Sequence, residues 1–176
     1  MQYSILNAEN SLPSTEELVE LYDAVGWSVY TRTPERLVPM LTGSRYLYVA
    51  RENTTEGVER LIGLVRAVGD GQTIAYVQDL LVHPQAQRHG IGSALLGRIL
   101  ADFDREGIRQ RFITTDIVDT PVIELYRHFG FTPVQDNGCV TLAKYVFYTL
   151  NTPQNGKGLR ALWGLPARVK TVGAER

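Results

Sequence analysis

The chain has 176 residues, a length typical of one domain with a substantial hydrophobic core. Its hydrophobic content is 44%, its charged content is 21% and its formal net charge is -1, so no strong field attracts it to nucleic acid or to an anionic membrane. The single cysteine, Cys139, excludes an internal disulfide framework and a thiolate metal cluster, and we expect no metal.

The first residues of the chain have neither the charged segment nor the apolar segment of a signal peptide. No apolar run reaches the ~18 residues that a membrane span requires. We therefore expect a cytoplasmic protein that has no membrane partner.

Periodicity and turn signals predict two helices, then an antiparallel meander of strands, then a helix that crosses to a parallel strand. In chain order the predicted elements are strand Tyr3–Leu6, helix Ser14–Val25, helix Thr33–Leu41, strands Tyr46–Ala50, Leu61–Val68 and Ile74–Val82, helix Ile91–Arg105, strand Phe112–Thr115, helix Pro121–Phe129 and strand Val140–Leu150. This order predicts a single α/β domain over residues 1–150 with a mixed, mostly antiparallel sheet. Residues 151–176 are predicted to form a basic tail that contains Gly and Pro.

Two glycines lie between the predicted strand and helix at the middle of the chain, in the run Gln87-Arg88-His89-Gly90-Ile91-Gly92-Ser93. The start of a helix leaves backbone N–H groups unpaired and favours negative charge, and glycine lets the chain approach a phosphate closely. This pattern predicts a ligand that carries phosphate. The alternative is that the glycines only allow the helix to pack closely on the sheet.

Two familiar phosphate-binding motifs do not match this run. A P-loop needs a longer gap between its glycines and a lysine after the second one, which Ser93 and Ala94 do not provide. A dinucleotide-binding turn needs a small residue where this chain has Leu95.

The order Gln87-x-x-Gly90-x-Gly92, after a strand and before an amphipathic helix, resembles the acetyl-coenzyme A motif of the GNAT acetyltransferase superfamily. The resemblance covers the order of elements from Tyr3 to Leu150. It implies two parallel strands that splay apart at the centre of a twisted sheet with flanking helices. It also implies that acetyl-CoA is the co-substrate, with backbone amides from Arg88 to Ser93 around its diphosphate. The coenzyme-binding residues that it implies are Leu80, Leu81, Val82, Gln87, Arg88, His89, Gly90, Ile91, Gly92, Ser93, Asp119 and Tyr126.

The run Leu125-Tyr126-Arg127-His128-Phe129-Gly130-Phe131 resembles the second signature of the same family. The resemblance implies that Tyr126 is the general acid that protonates the departing thiolate, which suits a phenol because its pKa is near ~10. The alternative is a packing role for this side chain. Many relatives have Asn where this chain has Asp119, and a carboxylate cannot donate a hydrogen bond as an amide does.

The group that removes the proton of the amine is less clear from the sequence. Asp79 is one candidate base, although strict strand alternation places it on the opposite face from Gln78 and Leu80 unless a bulge changes the register. A water relay is the other candidate. A carboxylate at a strand end is also often a structural acceptor, and we expect His83 and His128 to be structural or exposed.

The acceptor side of the predicted site contains Trp27 and Tyr30, which follow the first helix, and Tyr76 and Gln78 on the strand. Trp27 and Tyr30 predict an apolar wall for an amine, or alternatively a contact that packs the helices on the sheet. In the tail, Leu162 and Trp163 favour docking on another surface, for which the second subunit of a homodimer is one candidate.

These observations predict an acetyl-CoA-dependent N-acetyltransferase whose acceptor is the primary amine of a small molecule. A protein N-terminus or lysine is an alternative acceptor, and no nucleic-acid partner is expected. A second hypothesis from another class is a non-catalytic acyl-CoA sensor that regulates a partner protein.

Overall fold

A computed structural model of the protein describes residues 1–53 and 59–144. In these ranges five strands form one sheet with the spatial order β1-β2-β3-β4-β5. The strands are β1 (Tyr3–Asn7), β2 (Tyr46–Asn53), β3 (Glu59–Gly69), β4 (Ile74–Val82) and β5 (Gln110–Ile113). The α-helices are α1 (Thr15–Ala24), α2 (Ser28–Thr31), α3 (Leu37–Thr42), α4 (Ile91–Glu106) and α5 (Thr120–His128). None of the helices in these ranges is long and apolar enough to cross a bilayer.

The strands β1 to β4 pair in antiparallel fashion, and β5 returns parallel to β4 after the crossover through α4. The parallel pairing runs only from Ile74 opposite Gln110 to Val77 opposite Ile113. Beyond Val77, β4 continues to Val82 without a described partner strand on that side. The two strands therefore part at the middle of β4, and a cleft opens there.

A β-bulge interrupts the pairing of β3 with β4 at Gln78. Arg66 pairs with Asp79 and Ala67 pairs with Val77, so Gln78 is the extra residue. A bulge resets strand alternation, and Ala75 and Val77 accordingly pack on the α4 side of the sheet while Asp79 faces α1. Because of this bulge, the side chains of Val77 and Asp79 lie on opposite faces of the sheet.

The sheet separates two hydrophobic cores. The core on the α4 side of the sheet includes Phe103, Leu95 and Tyr126, and the core on the α1 and α3 side includes Tyr22 and Leu64. The α4 stripe was predicted from its period, because Leu95, Leu96, Ile99, Leu100 and Phe103 recur at helical spacing and all are buried.

The fold class predicted from the sequence is confirmed: the chain is α/β, with a mixed, mostly antiparallel sheet and flanking helices. In the described residues the parallel strand β5 is the outer strand and not a central one. No strand is present over 140–144 of the predicted strand Val140–Leu150, and residues 145–150 lie outside the described residues, as does the predicted tail 151–176.

The structure shows three further differences from the prediction. The second helix, predicted over Thr33–Leu41, is a 3₁₀ turn at Pro34–Arg36 followed by α3, because Pro34 begins a turn that leads into the helix. The helix α2 was not predicted, since four residues are too few to show a period. The strand predicted at Phe112–Thr115 begins two residues earlier, at Gln110.

Candidate functional site at the cleft between the parallel strands

A cleft of about 570 Å³ lies where β4 and β5 separate. Four parts of the chain form its walls: the segment between α1 and α2, the end of β4, the turn into α4 together with the first turn of α4, and α5 with the residue before it. The lining residues are Val25, Trp27, Leu80, Leu81, Val82, Ala86, Gln87, Arg88, Gly90, Ile91, Gly92, Ser93, Asp119, Pro121, Val122, Leu125 and Tyr126. This set contains all the sequence-predicted coenzyme residues except His89.

The first turn of α4 presents unpaired backbone donors to the cleft. Gly90 is the N-cap residue, has no side chain to cap the helix, and accepts the first helical hydrogen bond from the Ala94 N–H at 2.9 Å. Within the described residues, the N–H groups of Ile91, Gly92 and Ser93 have no hydrogen-bond acceptor. Three aligned donors and the positive end of the helix dipole make this turn a site for an anion.

The two glycines of the turn differ in backbone conformation and in the space around them. Gly90 has a φ of 77°, a left-handed conformation that glycine adopts without strain. Gly92 is helical, and a Cβ built there would lie 3.8 Å from Leu125 and from Val82, which is ordinary van der Waals contact. The protein itself therefore has room for a side chain at Gly92, so its own packing does not require glycine there.

The segment before the helix is held in place by its own contacts. The side-chain amide of Gln87 donates through Nε2 to the Val82 carbonyl oxygen at 3.1 Å, and this bond joins the turn to the end of β4. Arg88 has a φ of 66°, which is uncommon for a residue with a side chain. Backbone strain of this kind is concentrated at ligand-binding sites. His89 is exposed, and its Nδ1 lies 2.8 Å from the Gln87 carbonyl oxygen.

Tyr126 lies on the wall that faces the α4 turn. Its side chain is 8% exposed, and its ring meets the edge of the Phe131 ring at a centroid distance of 6.2 Å. Burial, and then the negative charge of Asp119, raise the pKa of the Tyr126 hydroxyl above its ordinary value. Asp119 is the N-cap residue of α5, but its side chain makes no capping hydrogen bond. The phenol therefore keeps its proton at neutral pH and is available to donate it.

Asp79 lies outside the cleft lining, on the face of the sheet that packs against α1. Its side chain is 1% exposed and forms an ion pair with Arg66. The Tyr22 hydroxyl donates to Asp79 Oδ2 at 2.8 Å, and the Tyr30 hydroxyl donates to Oδ1 at 3.3 Å. The carboxylate is thus bound by three donors, an arrangement that compensates for its burial.

Of the four predicted acceptor residues, only Trp27 belongs to the cleft lining. Trp27 lines the cleft, whereas Tyr30 lies beside it, with the two rings stacked at 6.0 Å. Tyr76 donates a hydrogen bond to Thr114, and Gln78 is exposed at the bulge. The structure therefore joins Trp27 to the cleft and places the other three outside its lining.

Both histidines that were expected to be structural or exposed are so. His83 is buried and caps the 3₁₀ turn at Pro84–Ala86, with the Gln85 N–H donating to its Nδ1 at 3.3 Å. Burial, and then the positive charge of Arg60, lower the pKa of His83. His128 is exposed on α5.

The sequence reasoning missed Arg66 and Tyr22, the partners of Asp79, and the contribution of Val25 to the cleft. A signal for the ion pair was present, because Arg66 and Asp79 are opposite charges within two otherwise apolar strands that a hairpin joins. Recognising it would have required the register across the bulge.

Comparison with known proteins agrees with this geometry. The family model described as the acetyltransferase (GNAT) family matches residues 10–131. Among solved structures, a GNAT family acetyltransferase from Streptococcus pneumoniae TIGR4 is 32% identical, with a TM-score of 0.66, and the match covers 82% of this chain and 98% of that one. A GNAT family acetyltransferase from Elizabethkingia anophelis with acetyl-CoA bound has a TM-score of 0.55 at 20% identity, which shows the shared fold.

Curated relatives have lower coverage of their own length. An uncharacterized N-acetyltransferase ycf52 from Gracilaria tenuistipitata var. liui is 29% identical over 69% of this chain and 64% of its own. The chloroplastic serotonin N-acetyltransferase 2 from Oryza sativa subsp. japonica is 30% identical over 65% of this chain and 54% of its own. The chain thus spans between half and two thirds of these two curated relatives. The family match and the pneumococcal structure confirm the resemblance seen in the sequence, and the chain belongs to the GNAT family of acetyltransferases.

Proposed function

We propose that this protein transfers an acetyl group from acetyl-CoA to the primary amine of a small molecule, by direct attack of the amine on the thioester. One observation carries the proposal: a single cleft is lined by Ile91–Ser93, whose amides have no acceptor among the described residues, by Leu80–Val82 of β4, which have no described partner strand on the β5 side, and by Tyr126. Acyl transfer needs an anchor for the coenzyme, a donor for the developing oxyanion and an acid for the leaving group.

In this proposal, the α4 turn and β4 bind acetyl-CoA. The Ile91, Gly92 and Ser93 amides have the geometry to hold a diphosphate, and the open space at Gly92 fits a ligand that approaches the backbone. The thioester supplies an acyl carbon whose oxygen becomes negative when an amine attacks. A backbone N–H group of the Leu80–Val82 segment that faces the cleft would stabilise this charge.

Proton transfer involves two groups. An alkylamine with a pKa of ~10.4 is almost fully protonated at pH 7, so the site must remove a proton before attack. Asp79 stays a prediction for this base, and a water relay is the alternative. Tyr126 is the proposed acid, and its raised pKa keeps its Oη protonated over the whole neutral range.

The acceptor we propose has an apolar body, because Trp27 lines the cleft beside Leu80 and Leu81. Named relatives and structural neighbours define a suitable panel of amines. They include a histone acetyltransferase from Glycine max, the rice serotonin N-acetyltransferase, an aminoglycoside acetyltransferase and the ribosomal-protein-S18-alanine N-acetyltransferase of Escherichia coli. The panel therefore contains serotonin, an aminoglycoside, a histone-tail peptide and a peptide with N-terminal alanine.

The test is release of free thiol from acetyl-CoA with each amine, for the wild type and for Tyr126→Phe. We expect kcat to fall by about 10²-fold in Tyr126→Phe while coenzyme affinity is retained. The matched control is Tyr48→Phe, because the Tyr48 hydroxyl donates to Asp102 away from the cleft. Equal turnover by Tyr126→Phe and wild type would remove the acid role. Tight coenzyme binding, no turnover of any amine and a stable protein partner would favour the sensor hypothesis.

Location and assembly are further parts of the proposal. We propose a cytoplasmic protein, to be checked by fractionation of cells that express the full chain. We propose a homodimer, to be checked by analytical ultracentrifugation with and without residues 151–176. A monomer at all concentrations would contradict the second point.

A further inference from the structure

We propose that Asp79 and Arg66 are positioning residues for the acceptor end of the cleft: they hold the hydroxyls of Tyr22 and Tyr30, and through these two rings they hold Trp27 at the cleft wall. This inference rests on the proposed function, because an acceptor must bind beside Trp27. It assigns Asp79 a positioning role, and of the two candidates for the base it therefore favours the water relay.

The ion pair is well suited to fix other groups, because both partners are buried. The side chain of Asp79 is 1% exposed and Arg66 is 6% exposed. Arg66 Nε donates to the same carboxylate oxygen that accepts from the Tyr22 hydroxyl, and Arg66 Nη1 lies 3.5 Å from the Ser44 hydroxyl. A carboxylate held by a buried arginine offers oxygens of defined position to both tyrosines.

Contacts among three aromatic rings connect the ion pair to the cleft. The ring centroids of Tyr22 and Tyr30 are 5.0 Å apart, and Trp27 lies 6.0 Å from each of them. Trp27 is stacked on Tyr30 with an interplanar angle of 28°. Of these three rings, only that of Trp27 contributes to the cleft lining. Its position therefore depends on the two rings behind it.

The bulge at Gln78 explains why this arrangement exists at this point. It turns Asp79 toward α1, while Leu80 and Val82 pack against the α4 core. The same irregularity thus directs the carboxylate to the acceptor wall and the next residues to the coenzyme side.

The experiment compares Tyr30→Phe, Asp79→Asn and the control Tyr48→Phe, all in a Trp163→Phe background. The chain has two tryptophans, so the fluorescence of this background reports on Trp27 alone. Tyr48 is a matched control because its hydroxyl also donates to an aspartate, Asp102, at 2.7 Å, on the α4 side of the sheet. The readouts are acceptor KM, kcat, the pH profile of kcat and quenching of Trp27 by acrylamide.

We expect Tyr30→Phe to raise acceptor KM by about three- to tenfold, as expected for the loss of one buried hydrogen bond, with kcat within about twofold of the wild type. Asp79→Asn should change KM in the same direction and leave the pH profile in place. Trp27 should become more accessible to acrylamide in both variants and remain unchanged in Tyr48→Phe.

Two results would overturn the inference. One is a fall in kcat of about 10²-fold or more in Asp79→Asn with loss of a limb of the pH profile, because that is the signature of a base. The other is a wild-type acceptor KM together with wild-type acrylamide quenching of Trp27 in Tyr30→Phe. That result overturns the inference even if Asp79→Asn does not fold. If no amine is acetylated, quenching still tests the positioning of Trp27, so failure of the proposed function is distinguishable.

Discussion

The two ends of the cleft are built in different ways. At the α4 end, the consecutive residues Ile91–Ser93 line the cleft, and their backbone amides have no acceptor among the described residues. At the Trp27 end, side chains from α1, α2, β3 and β4 meet. There the Asp79 carboxylate binds the hydroxyls of Tyr22 and Tyr30 and the guanidinium of Arg66. The first end needs only a short stretch of chain, whereas the second depends on packing between distant segments. Substitutions at the first end should therefore affect coenzyme binding with little change in stability, whereas substitutions at the second end should affect stability as well as the acceptor.

The largest effect is expected from breaking the buried ion pair. Arg66→Ala leaves the Asp79 carboxylate without its cation in a buried site, and removal of one partner of such a pair costs about 3–5 kcal/mol of folding free energy. The matched control is Arg105→Ala, because Arg105 pairs with Asp102 at 2.6 Å but is 67% exposed. We expect that control to cost less than about 1 kcal/mol. Urea unfolding measures both, and equal losses would contradict the difference between the two ends.

A similarly large effect, but on binding, is expected at the α4 turn. Gly92→Glu places a negative side chain where the diphosphate is proposed to bind, so coenzyme affinity should fall by about 10²-fold or more. Gly92→Ala is the sharper variant, because its Cβ meets the protein only at ordinary contact distance. It should fold as stably as the wild type and still bind the coenzyme more weakly. Calorimetry that shows unchanged affinity in both folded variants would contradict an anion site at this turn.

These predictions reflect what the sequence was able to show. The α4 turn was predicted because its parts are adjacent in the chain, from Gln87 to Ser93, and the stripe of α4 has a clear period. The surroundings of Asp79 were not predicted, because they depend on the bulge at Gln78 and on Tyr22, 57 residues away. The role of Trp27 was left open between wall and packing for the same reason.

A smaller effect concerns alkaline pH. Burial, and then the charge of Asp79, raise the pKa of Tyr22 and of Tyr30 in the folded protein. Their stabilising contribution is complete below the unfolded value of ~10 and is lost as the pH rises above it, by roughly 1.4 kcal/mol per pH unit for each group that stays protonated. Urea unfolding between pH 9 and pH 11 should show this decline, and Tyr22→Phe should make it less steep. A flat profile in the wild type would mean that these hydroxyls ionise as in the unfolded chain.

The smallest effect should occur at acidic pH. The pKa of His83 is lowered by burial and then by Arg60, so the contribution of this residue to stability is present above ~6.5 and is lost as the pH falls through the folded value. We expect less than about 1 kcal/mol of loss between pH 7 and pH 5 from this group. His83→Asn keeps a side-chain acceptor for the cap and should remove that slope in thermal unfolding. An identical slope in the variant would assign the loss to other residues.

The early end of the β4–β5 pairing has a consequence for the colloidal behaviour of the protein. A strand segment with free peptide groups is a template onto which foreign chains can add, and proteins normally cover or charge such segments. Among the described residues, Leu80 to Val82 of β4 have no partner strand on the β5 side, and this segment lines the cleft together with α4 and α5. A recess of this kind leaves room for a narrow molecule but not for a second β-sheet, and so it protects this segment from strand addition and aggregation.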